Sequence, residues 1–322
     1  MKILIILFLS TVIFASDILT NYRLNGIAEI EKQMDLELSQ TEYWNNLLKE
    51  KDTTFGYIEK YSNILTCDKQ SSTLTLYAQD KTNKFKVIKK YSAFTGKIKG
   101  DKKTEGDRRT PIGIYNILKK LSKDTNLNEF YGPLAFVTSY PNLYDTYRGK
   151  NGSGIWIHGL PVNEERDEFT RGCIAINNKN IECLNNHIDI NKTILIINSK
   201  KVKKNVDKKT LASILSQLYK WRYAWLYNDI DTYLSFYDSK FVRNDGVDFE
   251  SFKSYKTRVF KKIEKKSIIF KNINVIPYPN TDDTFEITFS EYYKSDTFSF
   301  TGDKILIVKI DENNNINILT EK

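Results

Sequence analysis

One histidine and one cysteine of this 322-residue chain stand fifteen residues apart in glycine-containing surroundings. His158 ends a short apolar run that begins at Gly154, and Cys173 directly follows Gly172. A thiol attacks a carbonyl carbon as the thiolate, and a neighbouring imidazole lowers the thiol pKa and holds the ion pair. The pair is therefore predicted to perform nucleophilic catalysis on an acyl substrate. The alternative is a core histidine and a core cysteine, since an inert buried thiol is the usual fate of a single cysteine.

The residues around this pair alternate as in strands. Ile155 and Ile157 share one face, while Trp156 and His158 share the other. In the segment Cys173–Ile176 the cysteine lies on the face opposite to the two isoleucines. Because the core takes the isoleucines, both functional side chains are predicted to face the same cleft.

Two backbone groups complete the predicted arrangement. Gly172 allows the main chain to approach a substrate closely, so that the N–H of Cys173 can donate to the oxyanion of a tetrahedral intermediate. No aspartate or asparagine stands where it would obviously orient the imidazole. The carbonyl of Gly159 is next to His158 in the chain and is the predicted orienting group.

These residues resemble the catalytic motif of the YkuD family of L,D-transpeptidase-like enzymes. In that motif a His-Gly is followed some fifteen residues later by Ser/Thr-x-Gly-Cys-Ile/Val, and this chain has His158–Gly159 and Thr170–Ile174. The upstream family pattern Gly-…-Thr-Pro-x-Gly-x-Phe/Tyr-x-Ile is matched by Gly106–Ile117, and Thr95–Lys97 matches the start of the family domain. The resemblance covers about residues 67–198 and implies a β-sandwich fold.

The resemblance also implies a reaction. Cys173 would form a covalent acyl-enzyme, with His158 as its base and the Gly159 carbonyl as the group that orients the imidazole. The substrate class would be the stem peptide of peptidoglycan, cut after the L-centre of diaminopimelate with release of D-Ala. This chemistry needs no metal ion and no other cofactor, so none is expected.

Two positions depart from the usual transpeptidase pattern. Most transpeptidases have histidine just before the Gly-Cys and arginine two residues after the cysteine, whereas this chain has Arg171 and Ala175. Arg171 can still bind a peptide carboxylate through two parallel hydrogen bonds, or it is an ordinary surface arginine. The other predicted substrate-binding residues are Trp156, as cleft wall or core, Thr170, and Tyr131 as a lip of the site.

The whole arrangement resembles a narrower group, the cell-shape LD-carboxypeptidases of helical Gram-negative bacteria. That group couples a YkuD domain to a C-terminal domain of the nuclear-transport-factor-like fold, and Trp221–Phe241 is similar to the opening helices of such a domain. The leading hypothesis is hydrolysis, which trims tetrapeptide stems to tripeptides. Transpeptidation and a non-catalytic wall-binding scaffold are the alternatives. The C-terminal domain would bind glycan or peptide, or be purely structural.

The elements that must position the site fall into five segments. Residues 1–16 are predicted to be a signal peptide and 17–66 a helical segment. Residues 67–198 are predicted to be a β-rich catalytic domain, since short strand patterns alternate there with glycine-rich turns. A charged linker, 199–209, follows. Helical spacing and then strand patterns in 210–322 predict a separate α+β domain.

Within these segments the periodicity predicts individual elements. In the catalytic domain the predicted strands are a hairpin over 73–91, then 114–117, 154–160 and 192–198. In the last segment the predicted helices are 211–237, broken near 228, and 249–263. The strands predicted after them are 268–275, 284–293, 297–300 and 304–311.

The first residues predict export. Lys2 precedes the unbroken apolar run Ile3–Phe14, and small residues follow at Ala15 and Ser16. This order is typical of a secretory signal peptide, and the run is short for a membrane span. An uncleaved anchor is the alternative, because large residues precede Ala15. The protein is expected in the periplasm, with no stable membrane span after the signal is removed.

Charge and composition limit the partners. The net charge is +9, but the lysines are interleaved with acidic residues, which is typical of a solvated surface. No nucleic-acid-binding motif accompanies the charge, so nucleic acid is not an expected partner. The helical segment 17–66 has no chemical motif, and it is predicted to pack against the main domain or against a second copy of the chain as a homodimer.

The remaining cysteines and histidine stand outside the motif. The chain has three cysteines, and an odd number in an exported protein leaves at least one thiol unpaired. A disulfide between Cys67 and Cys183 would leave Cys173 free, and the sequence leaves the existence of that bond open. His187 is interpreted as a surface or hydrogen-bonded histidine.

Overall fold

The computed structural model describes residues 18–161, 168–199 and 206–322. The predicted signal peptide, residues 1–16, lies outside the described residues, as does most of the predicted linker. Within the described part of the chain, no helix is long and apolar enough to cross a membrane. The strands there form an eight-stranded sheet and a five-stranded sheet.

The amino-terminal helical segment is shorter than the sequence pattern predicts. Its helices are residues 18–25, Ile27–Leu38 (α1) and Thr41–Leu48 (α2). The prediction of helix up to residue 66 is wrong, because the chain is extended in Tyr57–Ile58 (β1) and Asn63–Asp68 (β2). Strand β2 is hydrogen-bonded on both sides and buried along most of its length. A short apolar run of that kind belongs to a central strand.

The catalytic region forms the eight-stranded sheet. Besides β2, its strands are Thr73–Gln79 (β3), Phe85–Ser92 (β4), Gly113–Ser122 (β5), Leu134–Thr138 (β6), Trp156–His158 (β7), Ile174–Ala175 (β8) and Thr193–Asn198 (β9). Their order is β4-β3-β2-β9-β5-β6-β7-β8, antiparallel except for the pairs β2–β9 and β7–β8. Strand β6 is absent from the predicted strands, although it carries the direct partner of His158.

This sheet folds back on itself. The long strand β5 pairs with β9 through its first residues and with β6 through its last, so it belongs to both layers. The segment after β4 then meets the end of the sheet, where Phe94 bridges Ala175 and Gly96 bridges Thr170. The enclosed core contains Leu65, Leu74, Tyr115, Phe136, Ile157, Ile174 and Leu195. The predicted β-sandwich is confirmed.

Short helices fill the connections of this domain. They are the α-helices Leu143–Tyr147 (α3) and Asn178–Asn185 (α4) and the 3₁₀ turns Lys123–Thr125, Glu129–Tyr131 and Ile190–Lys192. Asn177 caps α4, since its side chain accepts a hydrogen bond from the N–H of Asn180. Helix α4 therefore begins directly after the strand that follows Cys173.

The C-terminal domain has the predicted order of helices followed by an antiparallel sheet. Its helices are Lys208–Leu226 (α5), Ile230–Leu234 (α6) and Phe249–Phe260 (α7). Its strands are Ser267–Pro277 (β10), Thr284–Lys294 (β11), Ser299–Ile310 (β12) and Ile316–Glu321 (β13). The two strands predicted over 297–311 are one strand, and β13 is an addition. The α+β domain is confirmed, and β1 pairs with β10 at its edge.

The amino-terminal helices pack on the C-terminal domain of their own chain. Trp44 is buried, its ring lies 5.2 Å from the ring of Tyr219 in α5, and its Nε1 donates to the Leu38 carbonyl. Arg222 in α5 donates to Asp35 in α1 at 2.7 Å. The segment was predicted to pack on the main domain or on a second copy, and within the described residues its helices pack instead on the C-terminal domain.

A shared apolar layer joins the two domains. Tyr278 and Ile276 from the C-terminal sheet pack with Phe55, Ile64 and Ile196 of the catalytic side. The layer also contains a buried acid, Glu286 on β11, which is 7% exposed. Burial, reinforced by the Asp145 carboxylate of the catalytic domain, raises the pKa of Glu286 to about 8. The folded protein therefore holds this carboxyl in its neutral form at neutral pH.

The stability of the protein should depend on this proton. The pKa of Glu286 is above its ordinary value of 4.5, so the stabilising proton is fully bound at low pH and lost as the pH rises towards 8. We expect the free energy of unfolding to fall by on the order of 4 kcal/mol between pH 5 and 8.5, and Glu286→Gln to remove most of that fall. Urea unfolding at both pH values measures it, with exposed Glu312→Gln as control. Equal pH dependence in all three proteins would contradict the assignment.

Candidate active site

The loop that carries Cys173 is fixed by one hydroxyl group. The Oγ1 of Thr170 donates to the carbonyl of Cys173 at 2.7 Å and accepts from the N–H of Gly172 at 3.0 Å. The backbone of Thr170 is itself paired, since its N–H donates to Thr95 and its carbonyl accepts from Lys97. Thr170 is thus nearly fully buried, and its hydroxyl holds the loop. Thr170 also lines the cleft, so its contact with substrate stays a prediction beside this positioning role.

Only glycine fits before the cysteine. Gly172 has φ 138°, a region that residues with a side chain rarely adopt. A Cβ atom there would also lie 3.0 Å from the carbonyl oxygen of Arg109 and 3.1 Å from Ile155 Cδ1. The tight turn is therefore specified by this residue, and it turns the next side chain, Cys173, towards solvent on the cleft side.

His158 is held on three sides by backbone. It lies on β7 between Ala135 of β6 and Ala175 of β8, and its carbonyl accepts from the N–H of Ile176 at 3.0 Å. Its side chain is 1% exposed. Its Nδ1 lies 2.6 Å from the carbonyl oxygen of Gly159, which assigns the proton to Nδ1. In that tautomer Nε2 is the basic atom of the ring.

Gly159 is itself held by a residue that the sequence reasoning missed. A Cβ atom on Gly159 would lie 2.5 Å from Asn178 Oδ1 and 2.9 Å from Pro133 Cδ. Asn178 Oδ1 accepts from the N–H of Leu160 at 2.7 Å. This side chain therefore fixes the peptide unit that orients the imidazole. Its only signal in the sequence is its place at the start of the helix after the cysteine strand.

Aromatic rings cover the histidine. The Tyr131 ring meets the His158 ring edge-on at 5.0 Å, and the Trp156 ring lies 4.8 Å from Tyr131. Tyr131 lines the cleft as the sequence predicts. Trp156 contacts Tyr131 and is not among the described residues that line the cleft. Trp156 and His158 both contact the Tyr131 ring, as expected for residues on one strand face, and a contact of Trp156 with substrate stays a prediction.

Cys173 and His158 line the same open cleft of about 750 Å³. The Cys173 side chain is partly exposed, and its Sγ lies 3.4 Å from the carbonyl oxygen of Gly154. The exposed residue Arg171 lines this cleft as well. The other described lining residues are Lys97, Arg108, Asn128, Phe130, Tyr131, Phe169 and Thr170. The sulfur is therefore reachable by a substrate, which the alternative of a core cysteine would not allow.

The other two thiols are not among the described residues that line the cleft. Cys67 is fully buried, and burial raises the pKa of its thiol to about 12, so it stays protonated. Cys183 lies on α4, 3.9 Å from the Nδ1 of His187. That nitrogen also lies 2.7 Å from the Cys183 carbonyl oxygen, so the exposed histidine closes the end of α4. All three cysteines are free thiols, and the possible Cys67–Cys183 disulfide is absent.

Comparison with known proteins places both halves of the chain. Residues 62–197 match the model of the YkuD family, the L,D-transpeptidase catalytic domain, and residues 213–322 match the Cds6 C-terminal NTF2-like domain. No curated protein matches the chain significantly. A β-sandwich with a cysteine and a histidine in one cleft, followed by an NTF2-like domain, defines a two-domain protein of the L,D-transpeptidase type.

Solved structures resemble the chain over nearly its whole length. The helical cell shape determining protein Pgp2 from Campylobacter jejuni is 38% identical, with a TM-score of 0.80, over 88% of this chain and 99% of that chain. Bd1075 from Bdellovibrio bacteriovorus is 26% identical, with a TM-score of 0.65, over 84% and 96%. The chain belongs to the YkuD family, in the two-domain form that Pgp2 represents.

The Thr170 hydroxyl should control the reactivity of Cys173. Thr170→Val keeps the volume but leaves a buried carbonyl and N–H unpaired, which costs about 1–3 kcal/mol and frees the loop. We expect iodoacetamide to alkylate Cys173 about tenfold more slowly at pH 7, measured by mass spectrometry of peptides. Thr193→Val is the matched control, since that buried hydroxyl donates to Asp189 away from the cleft. Equal alkylation rates in both variants would contradict the assignment.

Proposed function

We propose that the protein is a periplasmic LD-carboxypeptidase that trims tetrapeptide stems of peptidoglycan to tripeptides through an acyl-enzyme on Cys173. The observation that carries this proposal is the open cleft that Cys173 and His158 share, in which the Gly159 carbonyl fixes the imidazole tautomer. The domain that contains the cleft matches the YkuD family, the L,D-transpeptidase catalytic domain, and transpeptidation is an acyl transfer.

The proposed reaction has an acylation step and a hydrolysis step. Nε2 of His158 takes the proton of the Cys173 thiol, and the thiolate attacks the carbonyl carbon of diaminopimelate that precedes the terminal D-Ala. The tetrahedral intermediate collapses as His158 returns the proton to the leaving amine, so D-Ala departs and a thioester remains. Water then attacks the thioester while His158 takes its proton. The products are the tripeptide carboxylate and the regenerated thiol.

Each neighbouring group has a role in this scheme. The Gly159 carbonyl keeps the proton on Nδ1, and Asn178 keeps that carbonyl in place. Thr170 and Gly172 shape the nucleophile loop. Arg171 stands exposed on the cleft two residues before the sulfur, where its guanidinium can bind a carboxylate of the peptide.

The likeness to Pgp2 supports an effect on cell shape, since that protein is a helical cell shape determining protein. At 38% identity over nearly its whole length, the two-domain arrangement is shared as well. We therefore infer that trimming by this protein influences the shape of the cell. Peptidoglycan lies outside the cytoplasmic membrane, which accords with the proposed signal peptide.

Product analysis tests the proposal directly. We expect the full mature chain to convert purified disaccharide tetrapeptide into disaccharide tripeptide and free D-Ala, and Cys173→Ala and His158→Ala to lower the rate at least 1,000-fold. Liquid chromatography with mass spectrometry measures both products, and intact mass detects the thioester on Cys173. Cys183→Ala is the matched control and should react as the unaltered protein does.

The alternatives give different products. If cross-linked dimers form, or if D-Ala is exchanged for an added D-amino acid, the reaction is transpeptidation and not hydrolysis. If neither a product nor an adduct on Cys173 is detected, the remaining hypothesis is a non-catalytic scaffold that binds the cell wall. Tripeptide formation by Cys173→Ala at the unaltered rate would contradict the role of the thiol.

We also propose a homodimer through the amino-terminal helices. Their inner face packs on α5, but large apolar side chains remain exposed at Leu19 (66%), Leu24 (64%) and Ile27 (58%). A second copy of the same helices would cover them. We expect Leu19→Lys/Leu24→Lys to yield a monomer in sedimentation velocity where the unaltered chain is a dimer. Exposed Ile263→Lys, in the C-terminal domain, is the control, and a monomeric unaltered chain would contradict the proposal.

A further inference from the structure

Three cationic side chains line the cleft around Cys173: Lys97, Arg108 and Arg171. Within residues 18–161, 168–199 and 206–322, none of the three forms an ion pair. Clustered positive charge in a cleft attracts an anionic ligand. The proposed reaction has so far used only Arg171, so two cations remain without a function.

Arg108 is presented by a rigid loop. It has φ 54°, a left-handed conformation that is unfavourable for a residue with a side chain. The loop maintains it because the N–H of Ile98 donates to the Arg108 carbonyl at 3.1 Å. Asp107 anchors the turn by accepting from the N–H groups of Lys103 and Arg109. Backbone strain maintained in this way is characteristic of functional positions.

The anchoring carboxylate does not neutralise the arginine. Asp107 also accepts from the Nζ of Lys102 at 3.0 Å, in an ion pair that is nearly buried. The next arginine, Arg109, is occupied elsewhere, since its Nε donates to the Lys99 carbonyl. Of the charged residues in this turn, Arg108 is therefore the one that reaches the cleft.

Lys97 is held beside the nucleophile loop. Its backbone N–H donates to the carbonyl of Thr170 at 3.0 Å, which fixes it next to the residues that lead to Cys173. Its ammonium lies 4.5 Å from the centre of the Phe169 ring, a contact that favours one position of an otherwise flexible side chain. Because Ile98 pairs with Arg108, the two cations come from adjacent backbone segments.

We propose that Lys97 and Arg108 form a subsite for a second free carboxylate of the acyl-donor peptide, separate from the carboxylate bound by Arg171. This inference rests on the proposed function, and it adds a basis for selectivity. A stem peptide with free carboxylates at both D-glutamate and diaminopimelate supplies such a group in addition to its terminal one. A peptide amidated at the relevant position would lose this contact, and the cleft would discriminate against it.

Steady-state kinetics of the full mature chain test the subsite. With the free-acid disaccharide tetrapeptide, we expect Lys97→Met and Arg108→Gln each to raise KM about fivefold to tenfold, with kcat within twofold. Lys97→Arg should restore most of the affinity because it keeps the charge. The control is Lys103→Met, an exposed cation of the same loop outside the cleft, which should leave KM unchanged.

Amidated substrates locate the carboxylate. Tetrapeptides amidated at D-glutamate or at diaminopimelate should show an increased KM with the unaltered protein, and for one of them Lys97→Met should cause no further increase. The subsite is overturned if both substitutions raise KM equally for the free acid and for both amidated peptides. It is equally overturned if their effect is no larger than that of Lys103→Met.

Failure of the proposed function would look different. In that case the unaltered protein forms no product from any of these peptides. Calorimetric binding of the free-acid tetrapeptide to Cys173→Ala, with and without Lys97→Met, then still measures the subsite. Weakening of that binding by about fivefold or more supports the subsite, and unchanged binding overturns it.

Discussion

The hydroxyl of Thr170 carries the constraint on which the site depends. It joins both ends of the turn that contains Gly172, while the backbone of the same residue is paired with the strand-like segment after β4. The turn is thereby fixed between two parts of the sheet that are far apart in sequence. A reactive thiol needs such rigidity, because its ionisation depends on a constant distance to the base.

The imidazole of His158 is also held by a hydrogen bond, and its partner is a backbone carbonyl and not a carboxylate. The Gly159 carbonyl selects the tautomer, and the side chain of Asn178 prevents that peptide unit from rotating. A neutral carbonyl orients the ring without adding a negative charge to the cleft. The Tyr131 ring then contacts the imidazole edge-on.

The sequence predicts those parts of the site that follow from the alternation of side chains between the two faces of a strand. Period two correctly places His158 and Cys173 on one cleft, because the core takes the isoleucines that alternate with them in their strands. It cannot show that Tyr131 packs against Trp156, or that Asn178 packs on Gly159, since both contacts join elements distant in the chain. Helix was wrongly predicted around Ile64 for the same reason. Its strand is buried between two other strands, and one of them comes more than a hundred residues later in the chain.

The edge strand Tyr57–Ile58 pairs with β10, more than two hundred residues later in the chain. The second sheet is thus discontinuous, and the sandwich is inserted between its first strand and the rest. During synthesis the sandwich can fold as soon as β9 emerges, whereas the NTF2-like fold must wait for the end of the chain. The early helices have their packing partner only once α5 is present, so they precede the sandwich in the chain but complete their packing after it.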